Sequence, residues 1–218
     1  MERRVALKNM GLAFGYAAAT PTLLGLIQSC KSKPAYAEWV PEFFDKESGH
    51  VMAQMLDVIL PKTETPSATE VNAHVFIDQY VQHVIPVEQQ EFTKVLKDKF
   101  MAQVLAMSEK ESLEDVEAED FEPILSKYLK KRTDEEEESH GKAIGEYMQA
   151  VMTGGTAELD DEIACFAFAN NIRDMGVWAY KTSEYVGEEV LAYLPVPGEY
   201  IACGDVNELT QNKDWSLN

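Results

Sequence analysis

The feature that most constrains this chain is a pair of prolines, Pro61 and Pro66, set between two runs of helical apolar periodicity. Proline has no backbone N–H to donate and biases its predecessor away from the helical region, so the two bracket a fixed turn. Ahead of them, Met52, Met55, Leu56 and Ile59 recur at the spacing of one helix face, which predicts a helix over about Ser48 to Leu60. Beyond them, Phe76, Ile77, Tyr80, Val81 and Val84 predict a second helix, from about Ala73 to Ile85, with these residues inward and Pro86 as its stop. Ser67 and Glu70 have the spacing of a capping box. The stretch reads as helix, rigid loop, helix.

The same period continues downstream. Phe92, Val95, Leu96, Phe100 and Val104 predict a long helix from about Val87 to Met107. Ser112 offers a cap for a short element, and Phe121 to Leu129 reads as another, starting near Pro123. The acidic run Thr133 to Glu138 reads as a helix start. Thr133 caps, Glu136 completes the box, and the acids face the positive end of the helix dipole. A calcium loop would need spaced oxygens and a glycine turn, which the run lacks. Ile144, Tyr147, Met148 and Val151 give this helix a buried face, and Gly154-Gly155 ends it. The longest apolar candidate runs from about Leu159 to Tyr180, with Ile163, Phe166, Ala169, Ile172, Arg173 and Met175 along it. Ala164, Ala167 and Ala169 permit close approach, as the central helix of a bundle requires. Strand signals are weak throughout. The expected class is all-α, a single helical bundle over residues 47–218 with an aromatic, loop-rich C-terminal segment after Gly176. In that segment Trp178, Tyr180, Tyr185, Tyr193 and Tyr200 surround Pro195, Pro197 and Gly198, a composition suited to packing or to an interface core.

Residues 1–30 read as a targeting segment and not as part of the fold. Arg3-Arg4 followed by Leu7-Lys8 resembles a twin-arginine export motif, and an apolar, glycine-spaced run from Met10 to Ile27 follows. The alternative is a simple N-terminal anchor helix, although Thr20, Pro21 and Thr22 interrupt a run barely long enough to span a bilayer. Ile27-Gln28-Ser29-Cys30 resembles a lipoprotein cleavage box, which would make Cys30 the lipidated first residue of the mature chain. Ordinary cleavage with Cys30 free is the other reading. Residues 31–46 read as a tether whose Trp39, Phe43 and Phe44 dock on this domain's own core or on a partner. If Cys30 is lipidated, Cys165 and Cys203 remain, and an oxidising compartment admits a disulfide between them. Two separate buried thiols, or a bridge to another chain, stay open.

Charge and motif spacing exclude several functions. A net charge of −19 opposes nucleic-acid binding and broad docking on anionic lipid, while leaving a basic partner surface open. His74 and His83 fall on different azimuths of one helix and cannot share a metal there. Neither a metalloprotease motif nor a nucleophile elbow is present, and Gly154-Gly155 follows a helix pattern where a dinucleotide fingerprint needs a strand. With 38 Asp and Glu, chance carboxylate pairs abound and none stands out as an acid–base pair.

The segment Leu60-Pro61-Lys62-Thr63-Glu64-Thr65-Pro66-Ser67-Ala68, with Phe76-Ile77-Asp78 behind it, resembles the gluconate 2-dehydrogenase subunit 3 family. Ser67 stands where that family usually has glycine. Thr182-Ser183-Glu184 and the closing Pro195-Val196-Pro197-Gly198 run with Tyr200 and Cys203 resemble it too, so the likeness covers about residues 45–205. The resemblance implies a small helical subunit without catalytic groups or a cofactor of its own. It also implies a large FAD-dependent oxidoreductase of the glucose-methanol-choline type as partner, oxidising a sugar, glycoside or sugar acid and passing electrons to a cytochrome or quinone. Pro61, Pro66, Trp178, Tyr180, Tyr185 and Tyr200 are the candidate interface residues. With the N-terminal motifs, the expected location is the periplasmic side of a bacterial membrane, lipid-anchored after twin-arginine export. The rival expectation is a stand-alone helical envelope lipoprotein acting as scaffold or ligand binder.

Overall fold

A computed structural model describes residues 34, 36–155, 157–194, 196, 198 and 203–216. Arg3, Arg4, Cys30 and Tyr200 therefore lie outside the described residues. The chain divides into two units, Met1–Ala37 and Glu38–Asn218. In the first, Ala37 N donates to Pro34 O at 2.9 Å, closing a turn. The second carries the helices.

Helix α1, Lys46–Ile59, starts where Asp45 accepts from Ser48 N, and it buries Val51, Met52, Met55 and Leu56. Helix α2 is Ala73–His83 and α3 is Val87–Ser108. Pro86 serves both, ending one helix and capping the next. Two 3₁₀ turns, Leu113–Asp115 and Ala118–Asp120, lead into α4, Phe121–Tyr128. Helix α5, Asp134–Met152, has the expected cap: Thr133 Oγ1 accepts from Glu136 N, and Glu136 accepts from Thr133 N. Gly154 stops it at φ 76°, a left-handed conformation that glycine adopts without strain. Helix α6 is Asp161–Lys181, followed by a π turn at Val186–Val190 and a short α7, Val206–Thr210. Among the described residues there is no strand, and a single bridge joins Ala192 to Trp215. The fold is all-α.

Helix α6 is the hub, packing against α1, α2, α3 and α4. Ala164, Cys165, Phe168, Ala169, Ile172, Gly176 and Ala179 are its buried residues. Its small residues let neighbouring backbones approach. A Cβ at Gly176 would collide with the Leu56 side chain of α1, so this glycine belongs to the helix interior as a packing position. The helix runs through Gly176 to Lys181, close to the expected end at Tyr180, and the Thr182 hydroxyl donates to Trp178 O at its close. Trp178 and Tyr180 sit on its last turn.

Some expectations need correction. No residue of α5 is fully buried: Ile144, Tyr147 and Met148 are half-covered and Val151 is exposed. The helix leans on the bundle through one edge, Tyr147 against Phe92 at 5.6 Å, and its acidic first turn belongs in water. Phe76, expected inward, is exposed. The aromatics of the expected tether pack on this domain's own core: Phe44 is buried and Phe43 meets it edge-to-face.

Candidate docking groove

The Pro61–Pro66 loop is fastened from three sides. Ala68 N donates back to Leu60 O at 3.1 Å. Asp57 of α1 accepts from Thr69 N at 2.9 Å and from Thr69 Oγ1 at 2.6 Å. From α6, the Tyr180 hydroxyl donates to Pro66 O at 2.9 Å and to Thr65 Oγ1 at 3.1 Å. Only half of the expected capping box forms. Glu70 accepts from Ser67 N at 3.0 Å, but the Ser67 hydroxyl lies against Thr69 Oγ1, and the pair closes a turn ahead of α2 instead of capping it. Asn72, at φ 60°, makes the final bend into the helix.

Across from this loop lies the segment after α6. Thr182 and Ser183 cap the helix with their hydroxyls, and buried Val186 pins the π turn. Loop and turn face each other over a cleft of about 660 Å³, lined by Lys62, Thr65, Pro66, Val71, Ser183 and Tyr185 with five glutamates. A shallower hollow of about 260 Å³ adjoins it, sharing Val71 and Ser183 and ending at Phe76. There Trp178 meets Phe76 and Tyr80 edge-to-face, with ring centroids 4.9 and 5.2 Å apart. Trp178 remains 44% exposed and Tyr185 52%, so aromatic surface is offered at both ends of the groove. Large exposed aromatics in one tract mark an interaction surface more often than bulk protein surface does.

The groove is acidic. Glu64, Glu70, Glu184, Glu188 and Glu189 line the cleft against a single cation, Lys62, which pairs with Glu70 at 2.5 Å. The Lys62 ammonium, and after it the Ser67 N–H, holds the Glu70 carboxyl below its usual range. Among the described residues no ion pair joins Glu64, Glu184, Glu188 or Glu189 to a lysine or arginine.

A second polar centre lies on the inner face of α2. Asp78 is buried, and its carboxylate accepts from Glu42 N at 2.7 Å and from Phe43 N and Phe44 N at 3.0 Å each. One side chain thus satisfies three successive backbone donors and straps residues 38–45 onto the bundle. His74, one turn earlier, is buried with Trp39 of the strap edge-to-face at 4.7 Å, and its Nδ1 has no hydrogen-bond partner among the described residues. Burial pushes its pKa down to about 4, more than nearby Asp57 and Asp78 raise it.

The structure brings some of the sequence-derived candidates together and separates others. Pro66 and Tyr185 line the cleft, Tyr180 holds the Pro66 carbonyl, Trp178 packs on Phe76 of the hollow, and Pro61 opens the loop. Tyr180 is half-buried and spends its hydroxyl within the chain, so it positions the loop instead of offering a free contact. Cys165 is buried in the core and Cys203 is exposed, and both are free thiols. Burial raises the Cys165 thiol above its ordinary range. His83 pairs with Glu42 at the surface at 2.9 Å, apart from buried His74. Among the described residues no group of three or more His, Cys, Asp or Glu could hold a metal ion, and no helix is long and apolar enough to cross a membrane. Sequence reasoning missed Asp57 and Asp78. The one available signal was an acid inside an apolar period, as in Phe76-Ile77-Asp78.

Residues 46–198 match the protein-family model described as gluconate 2-dehydrogenase subunit 3. No curated protein and no solved structure matches the chain.

Proposed function

The chain belongs to the gluconate 2-dehydrogenase subunit 3 family, and from that membership we propose that it is the non-catalytic small subunit of a periplasmic, FAD-dependent sugar, glycoside or gluconate dehydrogenase. Its large partner is of the glucose-methanol-choline type and holds the FAD. This chain supports that partner's folding, export and membrane attachment. The observation that carries the reading is the groove: two sequence-distant segments inside the family match converge on one exposed, aromatic-ended surface. Such a surface offers contact area for a partner chain.

The N-terminal motifs fit this role. Arg3 and Arg4 direct the chain to a route that moves folded proteins, as a flavoprotein loaded with its cofactor must be. A partner without its own signal travels bound to this subunit. Acylation of Cys30 then holds the pair at the membrane, each buried methylene contributing about 0.8 kcal/mol. A cytochrome or quinone takes the electrons.

Purified alone, the chain is expected to be colourless. Recovered from its native envelopes by an affinity tag, it brings a larger yellow chain with sugar dehydrogenase activity, read by flavin absorbance and dye reduction. Recovery without any flavoprotein would overturn the subunit reading and favour a stand-alone envelope lipoprotein.

A further inference from the structure

We infer that the groove receives an extended, arginine-bearing segment of the partner, with its cations against the Glu184, Glu188 and Glu189 carboxylates and its other side chains on the Phe76–Trp178 aromatic end. The inference rests on the subunit reading above and adds the chemistry of the contact.

The first argument is charge. The cleft carries five glutamates and one lysine, and that lysine is already paired with Glu70. The whole chain has the same sign, at −19. Exposed like charges repel across a concave wall until a cation enters. A neutral or acidic partner segment would leave that repulsion in place.

The second argument is shape. The cleft and its adjoining hollow share Val71 and Ser183 and together reach from the Pro61–Pro66 loop to Phe76, so the surface is continuous. An extended segment can lie along such a continuous tract and reach both the carboxylates and the aromatic end. The walls are fixed beforehand by the Tyr180 hydroxyl and by Asp57, so little ordering cost falls on binding. The third argument selects arginine over lysine. Tyr185 and Trp178 are exposed, and a planar guanidinium both stacks on aromatic rings and gives paired N–H groups to carboxylates, as an ammonium does not.

The test compares two sets of neutralising changes of equal charge in the full-length chain. One set is Glu184→Gln, Glu188→Gln and Glu189→Gln together. The control set is Glu111→Gln, Glu119→Gln and Glu122→Gln, all exposed and on other elements. The first probe is an acetylated hexapeptide of alternating arginine and leucine, with the glutamate–leucine counterpart as its negative. Binding is followed by the indole resonance of Trp178, assigned with Trp178→Phe. The arginine peptide is expected to perturb that resonance saturably. The groove set weakens binding about tenfold, the control set leaves it within about twofold, and the acidic peptide does nothing. The second probe is the flavoprotein recovered with the wild-type chain, on which the groove set is expected to cost about tenfold in affinity and to flatten the salt dependence. Equal weakening by both sets, or full affinity for the flavoprotein in the groove set, would overturn the inference and leave the subunit reading standing. Absence of any flavoprotein from the wild-type recovery would instead remove the subunit reading, and the peptide would still decide whether the groove takes a basic segment.

Discussion

Replacing Asp78 by alanine is expected to cost about 3–5 kcal/mol of folding stability, a large share of what a domain of this size possesses. The figure follows from counting donors. The carboxylate accepts from Glu42 N, Phe43 N and Phe44 N, and the last of these bonds is fully buried. Each donor stranded in the interior costs about 1–3 kcal/mol, less where water can follow, as at Glu42. Asparagine should fall between. Its one carbonyl oxygen can replace Oδ1, which serves Phe43 and Phe44, while its amide would turn a donor toward the Glu42 N–H that Oδ2 now accepts. A cost of about 1–3 kcal/mol is expected for Asp78→Asn. Urea unfolding followed by circular dichroism gives the energies. Hydrogen exchange at Glu42, Phe43 and Phe44 reports whether the strap has lifted. If Asp78→Ala costs under about 1 kcal/mol, the strap is held by Phe44 and Trp39 burial alone.

That a residue of such weight went unread shows where sequence reasoning ended. Periodicity finds helices because burial on one face repeats at 3.6 residues, and proline and glycine mark the ends, as Pro86 and Gly154 do here. It says nothing about what lies opposite a given side chain. An acid between Ile77 and Gln79 has solvent as its default partner, and the backbone donors that justify Asp78 are more than thirty positions away, separated by |i−j|=34 at the nearest. The same limit hid the role of Tyr180, whose hydroxyl partner Pro66 is |i−j|=114 away. Both walls of the groove were visible as motifs, Pro61 to Ala68 and Thr182 to Glu184. Their meeting was not, because it depends on how α2 and α6 cross. Gly176 owes its place to the same kind of distant contact. A glycine reads locally as a breaker, but here its missing Cβ makes room for Leu56. Helix α5 shows the reverse case: its apolar period is real, yet only one edge finds a neighbour, since Asp134, Glu135, Glu136 and Glu137 hold its first turn in water.

Acidification should loosen the same region through His74. The imidazole is buried, its Nδ1 has no partner among the described residues, and its pKa lies at about 4 against an ordinary 6.5. Helix α1 presents His50 and Asp57 to it, α2 itself presents Asp78, and the strap presents the Trp39 ring. The two carboxylates favour the protonated form, but desolvation outweighs them. Folded chain therefore binds fewer protons at this residue than unfolded chain does. Stability is complete above the unfolded value of about 6.5 and is lost as pH falls from there toward about 4. Between about pH 7 and about pH 5 the loss attributable to His74 is about 2 kcal/mol. The remaining acids pull the other way, because protonating them relieves the self-repulsion of a chain at −19. The difference between wild type and His74→Phe isolates the histidine, and phenylalanine keeps a ring against Trp39. Urea midpoints across that pH range should converge or cross: the variant loses the slope, and relative to wild type it gains about 2 kcal/mol on going to about pH 5. Parallel pH profiles for the two proteins would mean that His74 has the same pKa folded and unfolded, with Asp57 and Asp78 offsetting burial.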